Sequence, residues 1–339
     1  MIGFPAADRK AREASILGLR PPRNVVNPLR PYGFFAEEEP RVGGGTHRVA
    51  TVFLTNRECP WRCLMCDLWK NTLEAPTPKG AIPAQIRFAL DRLPPANVLK
   101  LYNAGSFFDR AAIPAEDHEA IASLARGFER VVVECHPALV GDSSLRFRDL
   151  LGGPQLQVAL GLETANEEIL GRLNKGMTVA DFENACRFLA AQAIGVRSFV
   201  LVGLPFLGRE EWAGATRESI GVSFRAGAEV VSLIPTRLGN GAMEELQRQG
   251  QFIPPTLEDL ETTLGDFLEG KEGNAQASGL LLADLWNADA LAAPPCCGAA
   301  RVNRLREMNV IQRNLPLPPC PSGRPHSTRT DDIRSSGET

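Results

Sequence analysis

At 339 residues the chain is longer than most single domains but within the range that α/β barrels reach as one domain. With 44% hydrophobic residues, 23% charged residues and a net charge of -3, it lacks the global positive excess that would predict nucleic-acid binding from charge alone. No basic start leads into an apolar signal core and no window approaches about 18 unbroken apolar residues, which predicts a cytoplasmic protein, neither secreted nor membrane-spanning.

Residues 1–46 are rich in Pro, Arg and Gly, a composition that predicts an irregular N-terminal arm. From "RVATVFLT" onward the pattern changes. Short β-branched runs ("RVATVFLT", "VLKLYNA", "RVVVECHP", "LQVALGLET", "RSFVLVGLP", "AEVVSLIPT") alternate with segments of helical period ("AIPAQIRFALDRL", "PAEDHEAIASLARGF", "VADFENACRFLAAQAI", "REEWAGATRESIGVSFRAG"). Six strand and helix units predict a parallel sheet, because parallel strands need crossover helices. Thr178 is placed to cap the helix of "VADFENACRFLAAQ", and Gly195 to close it. Beyond about residue 236 the alternation fades into Pro-rich breaks, and the tail from about 321 is expected to be disordered. The expected organisation is an arm over 1–46, a core over 47–250 and a C-terminal extension over 251–339.

Eight cysteines in a reducing compartment are expected to be free thiols, ligands or redox groups. Three of them, Cys59, Cys63 and Cys66, are spaced C-x3-C-x2-C in the loop after the first core strand. Structural zinc normally takes four ligands in paired knuckles, a set this loop does not supply. A [4Fe-4S] cluster accounts better for three thiolates, since an iron without a protein ligand is open to a small molecule. Cys296, Cys297 and Cys320 are candidates for an auxiliary cluster or zinc site, although they lack knuckle spacing. Cys186 is expected in a core, and Cys135 either faces the barrel interior or is a small buried hydrophobe.

The C-x3-C-x2-C loop after the first strand of a six-fold β/α pattern resembles the radical S-adenosylmethionine (SAM) superfamily, in its Elongator and coproporphyrinogen dehydrogenase-like branch. The resemblance implies a partial (β/α)6 TIM barrel of the radical SAM type, with an N-terminal arm and a C-terminal extension. It also implies two cofactors, a [4Fe-4S] cluster on Cys59, Cys63 and Cys66 and SAM chelated to its open iron. SAM would be cleaved reductively to methionine and a 5′-deoxyadenosyl radical that takes hydrogen from a substrate.

The same resemblance assigns SAM contacts residue by residue. Met65 stands where the family has an aromatic residue near adenine. Asn103, Ala104, Gly105 and Ser106 stand at its short Gly-containing motif, where a small residue lets backbone approach the amino group. Glu134 belongs to its E-x-x-P, Glu163 is at a polar contact, Lys175 is where an Arg is usual, and Gly203 lies in "LVGLP". Lys offers a point charge in place of a bidentate fork.

The wording of the loop is similar to the archaeosine synthase family, which implies a modified tRNA base as substrate. Arg9, Lys10, Arg12, Arg20, Arg23 and Arg30 would then meet phosphates, the alternative being a solvated tail. A radical SAM enzyme acting on a small molecule or peptide, and a non-catalytic Fe–S or zinc-binding protein, are the competing readings. A reductant such as flavodoxin or ferredoxin is implied as partner. No residue is assigned to substrate chemistry, and His136 is read as structural.

Overall fold

The computed structural model describes residues 8–272, 279–291 and 295–321. All six expected core strands form: β2 (Thr46–Leu54), β3 (Val98–Asn103), β4 (Arg130–Cys135), β5 (Gln155–Glu163), β6 (Gly195–Val202) and β7 (Val230–Pro235). They lie side by side in sequence order and pair in parallel. Two further strands flank them, β1 (Gly33–Pro40), antiparallel to β2, and β8 (Leu280–Ala283), parallel to β7.

The helices are α1 (Arg9–Gly18), α2 (Ala81–Leu90), α3 (His118–Ala125), α4 (Asp142–Leu151), α5 (Glu167–Arg172), α6 (Val179–Ala191), α7 (Arg209–Arg225), α8 (Ala242–Arg248), α9 (Leu257–Glu272) and α10 (Pro295–Ile311). Among the described residues no helix is long and apolar enough to cross a membrane.

Strand periodicity sorts the side chains into two environments. One set (Ala50, Val52, Leu54, Leu99, Leu101, Val131, Val133, Val158, Leu160) packs with helix residues such as Ile86, Ile121, Phe147, Phe182 and Leu189 into the main core. The other (Val49, Val98, Val132, Ala159) packs with Tyr102 and Phe199 inside the curved sheet. Cys186 is fully buried in the main core, and Cys135 sits there too as a small hydrophobe.

Three expectations need correction. The arm is not irregular: it contains α1 and β1, whose Glu37 and Glu39 reach Lys100 and Arg197 on strands distant in sequence. The alternation does not end at 236, since β8 extends the sheet and α10 packs on both edge strands. Gly195 does not close α6; it opens β6, while Ala193 takes the left-handed turn at φ +55°. Thr178 does cap α6, its hydroxyl accepting from the Asp181 N–H at 3.1 Å while the Asp181 carboxylate accepts from the Thr178 N–H. The tail beyond 321 lies outside the described residues.

The two sheet edges meet through side chains. Phe35 of β1 stacks on Trp286, just past β8, at 5.5 Å. Deeper inside, the Arg197 guanidinium donates to Glu39 at 2.7 and 3.1 Å, and the Lys100 ammonium is paired with Glu39 and, at 2.9 Å, with Glu37. These cations hold the Glu39 carboxyl at about 2, against the opposing pull of burial. Removing one partner of a buried pair typically costs about 3–5 kcal/mol. Glu39→Ala should therefore lower the urea midpoint by an amount equivalent to roughly that range. Because the folded pKa is depressed, the Glu39 contribution is present above the ordinary carboxylate range and is lost as pH falls toward 2, so the two unfolding curves should converge in acid.

Candidate active site at the mouth of the barrel

Parallel strands put all their C-terminal ends at one rim, so loops far apart in sequence converge there. The cysteine loop runs from Thr55 to Asp67 with almost no regular structure, and its neighbours fix its backbone. Asn240, past β7, donates to Leu64 O at 2.8 Å and Cys66 O at 3.2 Å. Asn174 donates to Arg62 O at 2.8 Å, and Leu64 N–H donates to Leu173 O at 2.8 Å. Glu58, inside the loop, accepts from Arg20 at 2.7 Å and from Arg23, with Arg62 at 3.2 Å. The Arg20 guanidinium also lies 4.5 Å over the Trp69 ring.

Burial pushes all three loop thiols upward, Cys59 to about 12, and for Cys59 and Cys66 the neighbouring thiols add to the rise. Lys175 opposes the rise at Cys59 and Cys63, which places its ammonium beside them. Any metal taken here must therefore displace thiol protons.

Other predicted residues gather around the loop. Gly105, at φ +129°, lies so close that an added Cβ would stand 2.9 Å from Cys59 Cβ and 3.2 Å from its Cα. Its neighbour Asn103 is buried with both side-chain amide atoms unpartnered, while its N–H donates to Glu134 Oε2 at 2.8 Å. Ala104 is buried, and its carbonyl accepts from Asn56 at 3.3 Å. Glu163 sits at φ +67°, a region costly for a side chain with Cβ, next to a register shift in β5. Its carboxylate accepts from Lys175 Nζ at 2.6 Å, and this pair covers Gly161, leaving no room for a Cβ there.

Three predicted residues make their contacts elsewhere. The Ser106 hydroxyl is 3.2 Å from Cys135 Sγ, Gly203 is walled by Pro255 of the extension, and Met65 packs in an apolar cluster with Leu64, Leu201 and Leu204. His136 is structural: Ala138 N–H donates to its Nδ1 at 3.2 Å, which leaves Nε2 to donate to Lys175 O at 3.1 Å. Its ring stacks on Trp61 at 3.8 Å, and burial lowers its pKa to about 4.

The sequence reading missed Asn240, Asn174, Glu58, Trp61 and Tyr32. Burial and the nearby Glu134, Asp67 and Cys66 all push the Tyr32 phenol upward, which puts this arm residue at the same rim. The Gly-Asn-Gly run at 239–241 was the one local signal for Asn240; the others depend on partners from distant segments.

Among the described residues, the group whose ligand atoms all lie within 4.8 Å of one another is Cys296, Cys297 and Cys320. One tetrahedral ion with metal–sulfur bonds of about 2.3 Å would hold its sulfurs about 3.8 Å apart, so the wider set at 59, 63 and 66 disfavours zinc and suits sulfurs that bind different irons of one cluster.

No family model matches the chain. Archaeosine synthase subunit beta of Thermococcus kodakarensis is 24% identical over 204 residues, which are 58% of this chain and 63% of that protein. Protein YhcC of Escherichia coli is 26% identical over 136 residues, 40% of this chain and 42% of that protein. The chain thus spans less than two thirds of the length of these curated relatives. Among solved structures, methylornithine synthase superposes with a TM-score of 0.50 at 14% identity, covering 97% of this chain and 82% of that one. The resemblance to the radical SAM superfamily is borne out at the level of the fold, a β/α barrel with its parallel strands in sequence order.

Glu134 provides a pH test of this rim. Burial raises its carboxyl to about 8, so the folded chain keeps a proton that the unfolded chain has lost. The stability this proton confers is complete below the ordinary carboxylate range and is lost as pH rises to about 8. Glu134→Gln should therefore be more stable than the native chain at pH 8 and close to it near pH 5, as read by urea unfolding at the two pH values.

Proposed function

We propose that this chain is a radical SAM enzyme in which Cys59, Cys63 and Cys66 hold three corners of a [4Fe-4S] cluster and SAM occupies the fourth. The observation that carries the proposal is the convergence at one rim of three half-buried thiols, the Gly105 backbone pressed against Cys59, and the Glu163–Lys175 pair. When bound, the cluster would supply the electron that splits SAM into methionine and a 5′-deoxyadenosyl radical.

The chain's own groups would bind and orient. Lys175 and Glu163 present one cation and one anion, matching the carboxylate and amino groups of an amino-acid zwitterion. Asn103 has an amide to satisfy, and Gly105 lets backbone approach. Ala104 would line the wall, while Ser106, Gly203 and Met65, engaged with Cys135, Pro255 and the Leu64 cluster, would support it from behind. The neutral carboxyl of Glu134 would donate where an ionised one only accepts.

For substrate we propose a modified base in tRNA, on the likeness to archaeosine synthase subunit beta. In the arm, Lys10 is exposed for phosphate contact, and Arg9 is exposed but paired with Glu13 at 2.9 Å. Arg20, Arg23 and Arg30 are engaged with Glu58, Trp69 and the Phe88 ring, which favours as second reading a small-molecule or peptide substrate. A flavodoxin or ferredoxin in the cytoplasm would be the electron donor.

Anaerobic reconstitution with iron and sulfide, then dithionite and SAM, should yield 5′-deoxyadenosine, detected by mass spectrometry. Single Ala variants of Cys59, Cys63 and Cys66 should fall to background, and full turnover in any of them refutes the assignment. Gly105→Ala, strained at its φ and pressed on Cys59, should bind less iron per chain. If tRNA is bound, log affinity should fall linearly with log salt concentration, and Lys10→Ala should flatten that slope by about one phosphate contact.

A further inference from the structure

A second group of cysteines lies outside the barrel mouth. Cys296 and Cys297 are in the first turn of α10, and Cys320 returns to them from 24 residues downstream. Their sulfurs all lie within 4.8 Å of one another, with Cys296 and Cys320 3.1 Å apart, and none of the three is in a disulfide. Cys297 is buried, Cys320 half-buried and Cys296 exposed, so the group has one protein-covered side and one side facing solvent.

We propose that Cys296, Cys297 and Cys320 bind a single soft divalent ion of the zinc class, with water or an external ligand in the fourth position. A tetrahedral thiolate site with metal–sulfur bonds of about 2.3 Å needs sulfurs about 3.8 Å apart, which this group can supply. A cube, whose irons each take one sulfur, needs them wider.

The surroundings say what such an ion would hold. Arg301 of α10 donates to Glu261 of α9 at 2.5 and 3.1 Å, and Arg304 donates to Glu261 at 3.2 Å and to Leu315 O. The segment after α10 is thus already folded back along the helix. An ion joining residue 320 to the first turn would close that return and fix α10 against the sheet edges it covers.

The full chain, purified anaerobically under reductant, loaded with Zn2+ and desalted, should carry close to one zinc ion per chain by plasma mass spectrometry. The Cys59→Ala/Cys63→Ala/Cys66→Ala variant should keep it, which separates this site from the cluster assigned above. The Cys296→Ser/Cys297→Ser/Cys320→Ser variant should lose at least nine tenths of it. Co2+ should give a sulfur-to-cobalt charge-transfer band and the d–d bands of a tetrahedral site. Should the triple Ser variant fail to fold, the single exposed Cys296→Ser should still weaken Co2+ binding tenfold or more and shift those bands. The proposal is overturned by a native chain that stays zinc-free after loading, by zinc retained in the folded triple Ser variant, by a metal-free Cys296–Cys320 disulfide that persists under reductant, or by Fe–S absorption that survives loss of Cys59, Cys63 and Cys66 and disappears with the triple Ser variant.

Discussion

Three thiols can share one inorganic group only if their backbone is held, and a loop without helix or strand cannot do that from within. Its polar backbone must be satisfied by residues anchored elsewhere. Here Gln85 of α2 holds both backbone polar atoms of Thr55, and the Thr77 hydroxyl accepts from Arg57 N–H at 2.9 Å. Asn174 and Leu173, which follow α5, take Arg62 and Leu64, and Asn240 takes Leu64 and Cys66. Through Glu58 the loop is also tied to Arg20 and Arg23 of the N-terminal segment. The geometry at the cysteines is thus a consequence of the parallel sheet, which brings the C-terminal ends of β2, β5 and β7 to one rim.

The interior carries its ion pairs at one level. There Lys100 is held by Glu37 and Glu39, and Arg197 is held by Glu39 through its terminal nitrogens, while its Nε is buried without a partner. Toward the rim the accounting fails: the Asn103 amide and the Thr236 hydroxyl are buried without partners, and Glu134 is pushed toward its neutral form. Buried polar groups are normally paired, so the Asn103 amide is left with hydrogen-bonding capacity beside the cysteine loop. The strained φ at Glu163 lies in the same zone, held in place by the β5 irregularity and by Lys175.

What the sequence made legible follows from range. Strands β2 to β7 are short apolar runs between helical stretches, and C-x3-C-x2-C and the Thr178 cap are complete within a few residues, so local pattern was enough. β1 was hidden because "FFAEEEP" lies within a Pro-, Arg- and Gly-rich stretch and its Glu39 finds its partners, Lys100 and Arg197, only on distant strands. β8 is a run of four residues beyond a break in the alternation, with no pairing signal of its own. Arg20 and Arg23 read as a basic tail for the same reason, their partner Glu58 lying 38 and 35 residues away. Gly195 followed a sound rule about glycine after helices, but Ala193 had already made the turn, leaving a glycine where the Glu229 carboxylate crowds β6.

The two cysteine groups show why counting ligands is not enough to name a metal. Each has three thiols and no obvious fourth, and each could be called an iron or a zinc site on that basis. Spacing separates them, since one ion draws all its sulfurs onto a single tetrahedron while a cluster gives each sulfur its own iron. Sequence distance runs the opposite way: the compact motif at 59 to 66 holds the wider sulfurs, and the scattered set at 296, 297 and 320 holds the closer ones. A short loop wrapped around a cube must splay its thiols outward, whereas a helix start and a returning chain can press theirs together. The fold, and not the interval between cysteines, sets the chemistry each group can support.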